Sequence, residues 1–226
     1  MIVLSIETTA GICSCALLEN DKILMEIHEK TDSQQQRLMP AISDLYFQTG
    51  INKKNTGLVT VDIGPGAFTA LRIGVTTAKT FAHALDIPIK GVSALEALYI
   101  KSQGFKNNCD RIMLIDARRN KCFTGIYRLT GEVIDNLDLL IEDVLYYTNE
   151  KTCTVFSGSG ALLNQEKILL HNQDGNFTVL NEDYSELKAG EIGKMGYLKF
   201  MQEGGDNKYK IVPLYVRDTD NVTKGR

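Results

Sequence analysis

Two glycine-containing segments of the chain have residue types that can bind phosphate. The first, Glu7–Gly11, reads Glu-Thr-Thr-Ala-Gly directly after an apolar run and offers a carboxylate, two hydroxyls and backbone N–H groups. Such groups can hold a phosphate or its Mg²⁺ ion. The alternative is an ordinary turn before a hairpin, in which the threonine hydroxyls bond to nearby backbone. We favour the turn, because no other residue completes a nucleotide site, and we treat Glu7, Thr8 and Thr9 as a candidate vestigial phosphate site.

The second segment, Gly64–Gly74, reads GPGAFTALRIG. A strand ends there, the structural turn Gly64, Pro65 and Gly66 redirects the chain, and a helix follows whose free N–H groups can bind an anion. Small residues recur at every fourth position of one helix face: Ala70, Gly74, Ala78 and Ala82. Another backbone can approach such a face closely. The neighbour is either the chain's own sheet and preceding helix or a helix of a partner.

The residues give little support to metal or nucleophile chemistry. The histidines at 28, 83 and 171 are not spaced i, i+4, so a helical two-histidine metal site is not predicted. The sequence has no GxSxG motif, no cysteine beside a histidine and no CxxC pair. We therefore expect the five cysteines to be small core residues in a reducing cytoplasm, with neither a zinc site nor a disulfide.

Composition argues against two other classes of protein. The net charge is −3 and the pI is about 5.7, with Lys and Arg spread along the chain, whereas a protein that grips RNA unaided usually has a basic patch. No apolar run reaches the roughly 18 residues of a membrane helix, and the N-terminus lacks the basic start of a signal peptide. We expect a soluble cytoplasmic protein.

The chain divides into two halves with the same predicted order of elements. In the first half, hydrophobic patterns and turn residues predict strands at 2–6, 12–18, 23–27 and 58–63, and helices at 33–49, 69–85 and 93–100. Ser33 and Gln36 resemble a capping box, and Pro40 indicates a helix that starts near Met39 or is kinked there.

The second half repeats this order, with Ile115-Asp116 standing where Ile6-Glu7 stands in the first. A duplicated βββαβα unit is the pattern of the α/β actin and sugar-kinase fold. We therefore predict two ribonuclease-H-like lobes, at 1–105 and 106–226. Asp116 would be the acid of the second lobe, but Ala117-Arg118-Arg119 follows it where a glycine-rich phosphate turn would be needed.

Several of these segments resemble the TsaB (YeaZ) family. The resemblance covers most of the first hundred residues and, more thinly, the rest, in these motifs: Ile2–Thr9, Gln36–Ile42, Gly64–Gly74, Gly91–Leu95, Ile115–Arg118 and Pro213–Arg217. The GPGxFTxLRIG run is the most specific of them. The family departs from this sequence at Gln34-Gln35, where it has His-Ser, at Ala67 and Ala70, where it has Ser and Gly, and at Glu7, where it has Asp. These changes argue against a nucleotide-binding or anion-binding role more strongly than they argue against dimerisation.

The resemblance implies a function in tRNA modification. TsaB-like proteins are degenerate members of the actin-like ATPase fold that pair with the TsaD enzyme, and the TsaE ATPase joins them. The assembly places a threonylcarbamoyl group on N6 of adenosine 37 in tRNAs that read ANN codons. TsaD carries the metal and the transfer chemistry, so this subunit is not expected to be an enzyme or to have a cofactor of its own. Binding of a nucleotide at the partner interface is left open.

The resemblance also implies the surface that binds the partner. Two helices of the first lobe form a bundle with the equivalent helices of TsaD, and without TsaD the same surface forms a homodimer. Contact with tRNA is expected only through the complex, and no membrane is involved. The implied partner-interface residues are Leu38, Met39, Ile42, Leu45, Tyr46, Leu71, Arg72, Gly74, Val75, Ala78 and Phe81.

Two alternative functions stay open. The fold pattern alone would also suit a small ATPase or kinase with a real phosphate site at Glu7–Thr9. A peptidase that acts on TsaD is the other, because chains of this kind were once grouped with glycoproteases. We favour neither, since no metal dyad or activated nucleophile is found in the sequence.

Overall fold

The computed structural model describes residues 1–9, 12–30, 34–148, 152–172 and 175–216. Four residues used in the sequence motifs, Ala10, Gly11, Ser33 and Arg217, lie outside these ranges. The chain forms two compact units. The first contains Met1–Ala97 and Leu187–Pro213, and the second contains Leu98–Glu186 with the residues from Leu214.

Ten strands and eight α-helices make up the described chain. The strands are β1 Ile2–Glu7, β2 Ile12–Glu19, β3 Lys22–Lys30, β4 Thr56–Gly64, β5 Ile89–Ser93, β6 Asp110–Asp116, β7 Lys121–Tyr127, β8 Val133–Leu140, β9 Thr154–Ser157 and β10 Phe177–Val179. The helices are α1 Gln34–Thr49, α2 Phe68–Ala84, α3 Ala94–Ser102, α4 Ile141–Leu145, α5 Ser159–Leu163, α6 Gln165–Leu170, α7 Glu182–Ser185 and α8 Ala189–Glu203. None of the helices in these ranges has the length and apolar character that crossing a membrane requires.

The two units have equivalent sheets, as the duplicated sequence pattern predicts. The first sheet has the order β3-β2-β1-β4-β5 and the second the order β10-β9-β6-β7-β8. In each, two antiparallel hairpin pairs come first (β1-β2-β3 and β6-β7-β8), and the next strand, β4 or β9, then pairs parallel to the first one. The predicted fold of two βββαβα lobes is therefore observed at the level of strand order.

The first sheet is covered by helices on both faces. Leu4 and Ile6 of β1 pack in one core with α1 and α2, while Val3 packs in another with the start of α8. A strand covered on both sides has no polar face, which explains why β1 reads as a continuous apolar run and not as an alternating one.

Helix α8 corrects the predicted lobe boundary. The predicted second lobe spans 106–226, whereas Leu187–Pro213, including α8, belongs to the first unit. The glycines of α8 explain its position, because an added Cβ at Gly193 would lie 2.5 Å from Leu18 Cδ1, and one at Gly196 would lie 2.5 Å from Thr60 Cγ2. The helix backbone therefore lies directly on the sheet.

Of the two alternatives that Pro40 left open, a helix that starts near Met39 is wrong, since α1 runs from Gln34 with Pro40 inside it. The N–H that proline lacks would have bonded to the exposed residue Gln36, where water can replace it. Cys109 and Cys153 form a disulfide, although the sequence analysis expects none.

The strand pairing explains this disulfide. Asp110 of β6 pairs with Thr154 of β9, so the two preceding cysteines are neighbours with a Cα–Cα distance of 4.6 Å. Sequence spacing cannot show such proximity, because it arises from a parallel pairing between distant segments. Cys13, Cys15 and Cys122 are buried free thiols, as expected of core cysteines.

The close contact of α8 predicts an unusual response to alanine. A glycine-to-alanine change in a helix normally stabilises by about 1 kcal/mol. Gly196→Ala should instead destabilise the first unit by about 1–3 kcal/mol, because its methyl group would collide with Thr60. Denaturant unfolding of Gly196→Ala would measure this loss, with Lys194→Ala on the exposed side of the same helix as a control. An unchanged or higher midpoint for Gly196→Ala would contradict the packing.

Candidate functional site

A pair of buried carboxyl groups lies where the central strands of the first sheet end. Ile6 of β1 pairs with Val61 of β4 in parallel register, which places Glu7 beside Asp62. The exposed fraction is 0% for Glu7 and 1% for Asp62. Glu7 is a predicted site residue, whereas Asp62 is not. The available signal was a single acid inside the otherwise uncharged strand β4.

Thr9 joins the two carboxyl groups. Its Oγ1 lies 2.8 Å from Glu7 Oε1 and 2.8 Å from Asp62 Oδ2. A hydroxyl has one hydrogen to donate, so the second contact requires a proton on one of the carboxyl groups. The pair therefore holds one proton between two acids.

Electrostatics place that proton on Glu7. Burial, the negative charge of Asp62 and the hydrogen bond to Asp62 all raise the pKa of Glu7 well above its ordinary value. Burial also raises the pKa of Asp62, but hydrogen bonds from Glu7, the Gly64 N–H and Thr9 oppose that rise. The Gly64 N–H donates to Asp62 Oδ1 at 2.7 Å, so the ionised partner also holds the start of the structural turn.

The threonine hydroxyls of the candidate phosphate site are already engaged. Thr8 Oγ1 donates to the Ala70 carbonyl at 2.7 Å, and Thr9 bonds to the carboxyl pair. An added Cβ would lie 2.6 Å from Thr8 Oγ1 at Gly74 and 2.7 Å from Thr9 Cβ at Gly66. These two glycines therefore make room for the chain's own threonines. The favoured interpretation had both hydroxyls bonding to nearby backbone, whereas Thr8 bonds to the carbonyl of distant Ala70 and Thr9 bonds to two side-chain carboxyl groups.

A phosphate would find a poor environment here. Two acids lie where the anion would bind, and Ala67 at the N-terminus of α2 makes no side-chain capping hydrogen bond. Within the described residues, no three His, Cys, Asp or Glu side chains cluster closely enough to hold a metal ion. The site's chemistry is that of a proton-sharing junction between β1, β4 and the turn before α2.

The structure places most of the implied partner-interface residues in the interior. Those buried in the first unit are Leu38, Ile42, Leu45, Tyr46, Leu71, Gly74, Val75 and Ala78. Phe81 is half-buried, and only Met39 and Arg72 are exposed. The carried-over positions follow the apolar face of each helix, and in this chain that face covers the sheet. The small-residue face of α2 is thus used within the chain.

The outer sides of the same helices carry the residues that are open to solvent. Phe47 of α1 is 86% exposed and Met39 is 51% exposed. Thr76 and Thr80 of α2 are exposed and line a shallow groove of about 650 Å³ together with Lys79, His83 and Ala84. Phe47 is not among the residues predicted from the sequence. The signal was its position four residues after Ser43 and eight after Met39, which places all three on one side of a helix.

Comparisons with known proteins identify the family. A family model described as "TsaD: tRNA N6-adenosine threonylcarbamoyltransferase" matches residues 28–151, more than half of the chain. The Bacillus subtilis (strain 168) protein named "tRNA threonylcarbamoyladenosine biosynthesis protein TsaB" is 34% identical over 174 residues, which are 74% of this chain and 75% of that protein. This chain belongs to the TsaB (YeaZ) family.

Other matches agree with that membership. The Escherichia coli (strain K12) TsaB is 29% identical over 57% of this chain and 55% of its own length. The solved structure of YeaZ from Pseudomonas aeruginosa has a TM-score of 0.75 at 23% identity and covers 95% of this chain and 99% of that one. A ROK hexokinase from Thermus thermophilus, at TM-score 0.51 and 11% identity over 89% of this chain and all of its own, confirms the sugar-kinase-like fold alone.

The carboxyl pair predicts a pH dependence of stability. Below the ordinary glutamate pKa of about 4.3, Glu7 is protonated in both the folded and the unfolded chain. As the pH rises above that value, only the unfolded chain loses the proton, so the free energy of unfolding falls until Glu7 ionises in the folded state. Glu7→Gln should remove this dependence of the free energy of unfolding on pH and be more stable than the wild type at pH 7.

Urea unfolding midpoints between pH 5 and pH 8 would test this expectation. The exposed residue Glu19 provides the matched control, and Glu19→Gln should keep the wild-type slope. Identical pH dependence in Glu7→Gln and the wild type would show that Glu7 does not retain a proton in the folded chain.

Proposed function

We propose that this protein is a non-catalytic subunit in the biosynthesis of tRNA threonylcarbamoyladenosine. In this role it binds TsaD and supports the transfer of the threonylcarbamoyl group to N6 of adenosine 37 in tRNAs that read ANN codons. Two findings support the proposal: the relatives are named as tRNA threonylcarbamoyladenosine biosynthesis proteins, and the matching family model is named for the transferase itself.

The observation that carries the docking role is a pair of exposed apolar side chains, Met39 and Phe47, on one of the two helices that cover this face of the first sheet. We define the α1–α2 face as Met39, Ser43, Phe47, Thr76 and Thr80. Helices α1 and α2 contact each other, and the residues of this face lie on their outer sides. Phe47 has almost its whole ring in solvent, although burying such a ring is favourable by about 1.5–3 kcal/mol. The small side chains of the threonines would let a second helix lie close to α2.

The carboxyl pair supports the non-catalytic part of the proposal. Catalysis on a phosphate donor needs open donors or a metal at the site, whereas Thr8 and Thr9 donate to groups of the same chain. The chemistry is therefore assigned to TsaD, and this chain contributes a surface. An ATPase or kinase role at Glu7–Thr9 is not favoured for the same reason.

A peptidase role is not favoured either. A nucleophilic cysteine needs a lowered pKa and access to substrate. Cys13, Cys15 and Cys122 are buried, and burial raises the pKa of Cys13 to about 11 and that of Cys122 to about 12. The pKa of Cys15 is raised by burial as well.

The remaining parts of the proposal concern the assembly. TsaE joins the TsaD complex, and without TsaD the α1–α2 face binds a second copy of this chain. tRNA is reached as part of the complex, and a nucleotide at the partner interface would be held mainly by partner groups. The proposed location is the cytoplasm, where tRNA modification takes place.

Reconstitution tests the proposed function directly. TsaD, TsaE, the enzyme that makes threonylcarbamoyl-adenylate and this protein are combined with unmodified tRNA, and each protein is left out in turn. Modified tRNA should form only when both this protein and TsaD are present, and this protein alone should give no product. Equal product formation without this protein would contradict the proposal.

The α1–α2 face predicts the effect of a single substitution. Phe47→Ser should weaken the association with TsaD at least tenfold, because truncating a buried aromatic anchor costs about 2 kcal/mol or more of binding free energy and about 1.4 kcal/mol corresponds to tenfold. Tyr146→Ser is the matched control, since Tyr146 is equally exposed, at 86%, but lies in the second unit. Calorimetric titration of each variant with TsaD provides the measurement. Equal affinity of Phe47→Ser and the wild type would exclude Phe47 from the interface.

A further inference from the structure

The turn between β6 and β7 holds an unusual run of backbone conformations. Arg118, Arg119 and Asn120 have φ values of 64°, 56° and 61°, three consecutive residues in the left-handed region. The turn is closed by the Ala117 N–H, which donates to the Lys121 carbonyl at 3.0 Å, and by the Lys121 N–H, which donates to the Arg118 carbonyl at 3.1 Å. Glycine and asparagine suit this region, whereas long side chains do not.

The two arginines therefore stand where the backbone disfavours them. Glycine at either position would adopt the same conformation without steric conflict. Such local conflicts concentrate at functional sites, where the side chain is kept for what it does. The conflict therefore indicates that the two guanidinium groups have a function.

Ion pairing leaves those groups available. Arg118 is 89% exposed in its side chain, and its Nε lies 3.7 Å from Asp116 Oδ2, a loose contact. Arg119 is exposed and has no ion pair among the residues that the structure describes. The nearby lysines differ, since Lys121 pairs with Asp138 at 3.3 Å and Lys167 with Glu142 at 3.0 Å. The tip of the turn therefore carries more positive charge than the nearby acidic side chains neutralise.

We propose that the β6–β7 turn contacts the phosphodiester backbone of RNA through Arg118 and Arg119. Guanidinium groups bind phosphate oxygens with two parallel hydrogen bonds, and an exposed tip can reach a backbone without burying apolar surface. The inference rests on the proposed function, which supplies tRNA as the nucleic acid. The net charge of −3 makes a broad electrostatic grip on RNA unfavourable, so a local contact within the complex is the form that the charges allow.

The double variant Arg118→Gly/Arg119→Gly separates binding from folding. It removes both charges and places the residue that the backbone prefers at each position, so its thermal midpoint should equal or exceed that of the wild type. Fluorescence anisotropy would measure the affinity for unmodified tRNA between 50 and 200 mM salt, for the full chain alone and with saturating TsaD. Each phosphate contact contributes about 0.9 to the slope of log affinity against log salt, so the slope should become shallower by about two.

Arg37→Ala provides the matched control for loss of an exposed arginine. Arg37 lies in the first unit and pairs with Glu29 at 2.6 Å. Its variant should keep the wild-type tRNA affinity and slope. In the double variant we expect at least a fivefold loss of affinity at 50 mM salt.

Three outcomes would overturn the inference. These are an unchanged affinity and slope in the double variant, no tRNA affinity of the wild type under either condition, and a loss of TsaD binding with tRNA affinity retained, which would identify a protein contact. The reconstitution described above separates this result from the proposed function. Product that still requires the protein, with tRNA affinity unchanged in the double variant, would leave the proposed function standing and remove the RNA contact alone.

Discussion

Two buried acids that share one proton determine the arrangement of the first unit. Glu7 and Asp62 lie together because β1 and β4 are parallel neighbours, and Thr9 bonds to both. Asp62 also holds the turn at Gly64, and Thr8 bonds to the first turn of α2. The end of β1 is thereby tied to the start of α2. The hydroxyls of Thr8 and Thr9, the candidate phosphate ligands, are occupied by the chain's own groups.

This junction connects the interior of the protein with its outer surface. Gly66 and Gly74 accommodate Thr9 and Thr8, so α2 lies close to the sheet and its small residues are used inside the chain. The outer sides of α1 and α2 are open to solvent, and Phe47 is the most exposed apolar side chain there. A closed internal site and an open helical face together suit a subunit that supports an enzyme.

Features that depend on local sequence patterns could be predicted from the sequence, whereas features that depend on contacts between distant segments could not. The duplicated strand order and the glycine turn before α2 were predictable, because period and turn residues are local. The buried acid Asp62, the Cys109–Cys153 disulfide and the placement of α8 were not, since each arises from segments far apart in sequence. The interface residues implied by the family resemblance lie mostly on the inner face of each helix, and an amphipathic pattern could not have shown this, because it reveals that a face is apolar but not what covers it.

Amide hydrogen exchange of this protein, with and without TsaD, is the most direct test of a docking role for the α1–α2 face. We predict slower exchange in α1 and α2 when TsaD is present, with the strands β7 and β8 of the second unit unchanged. Protection confined to the second unit, with α1 and α2 exchanging at the same rate in both samples, would contradict the account.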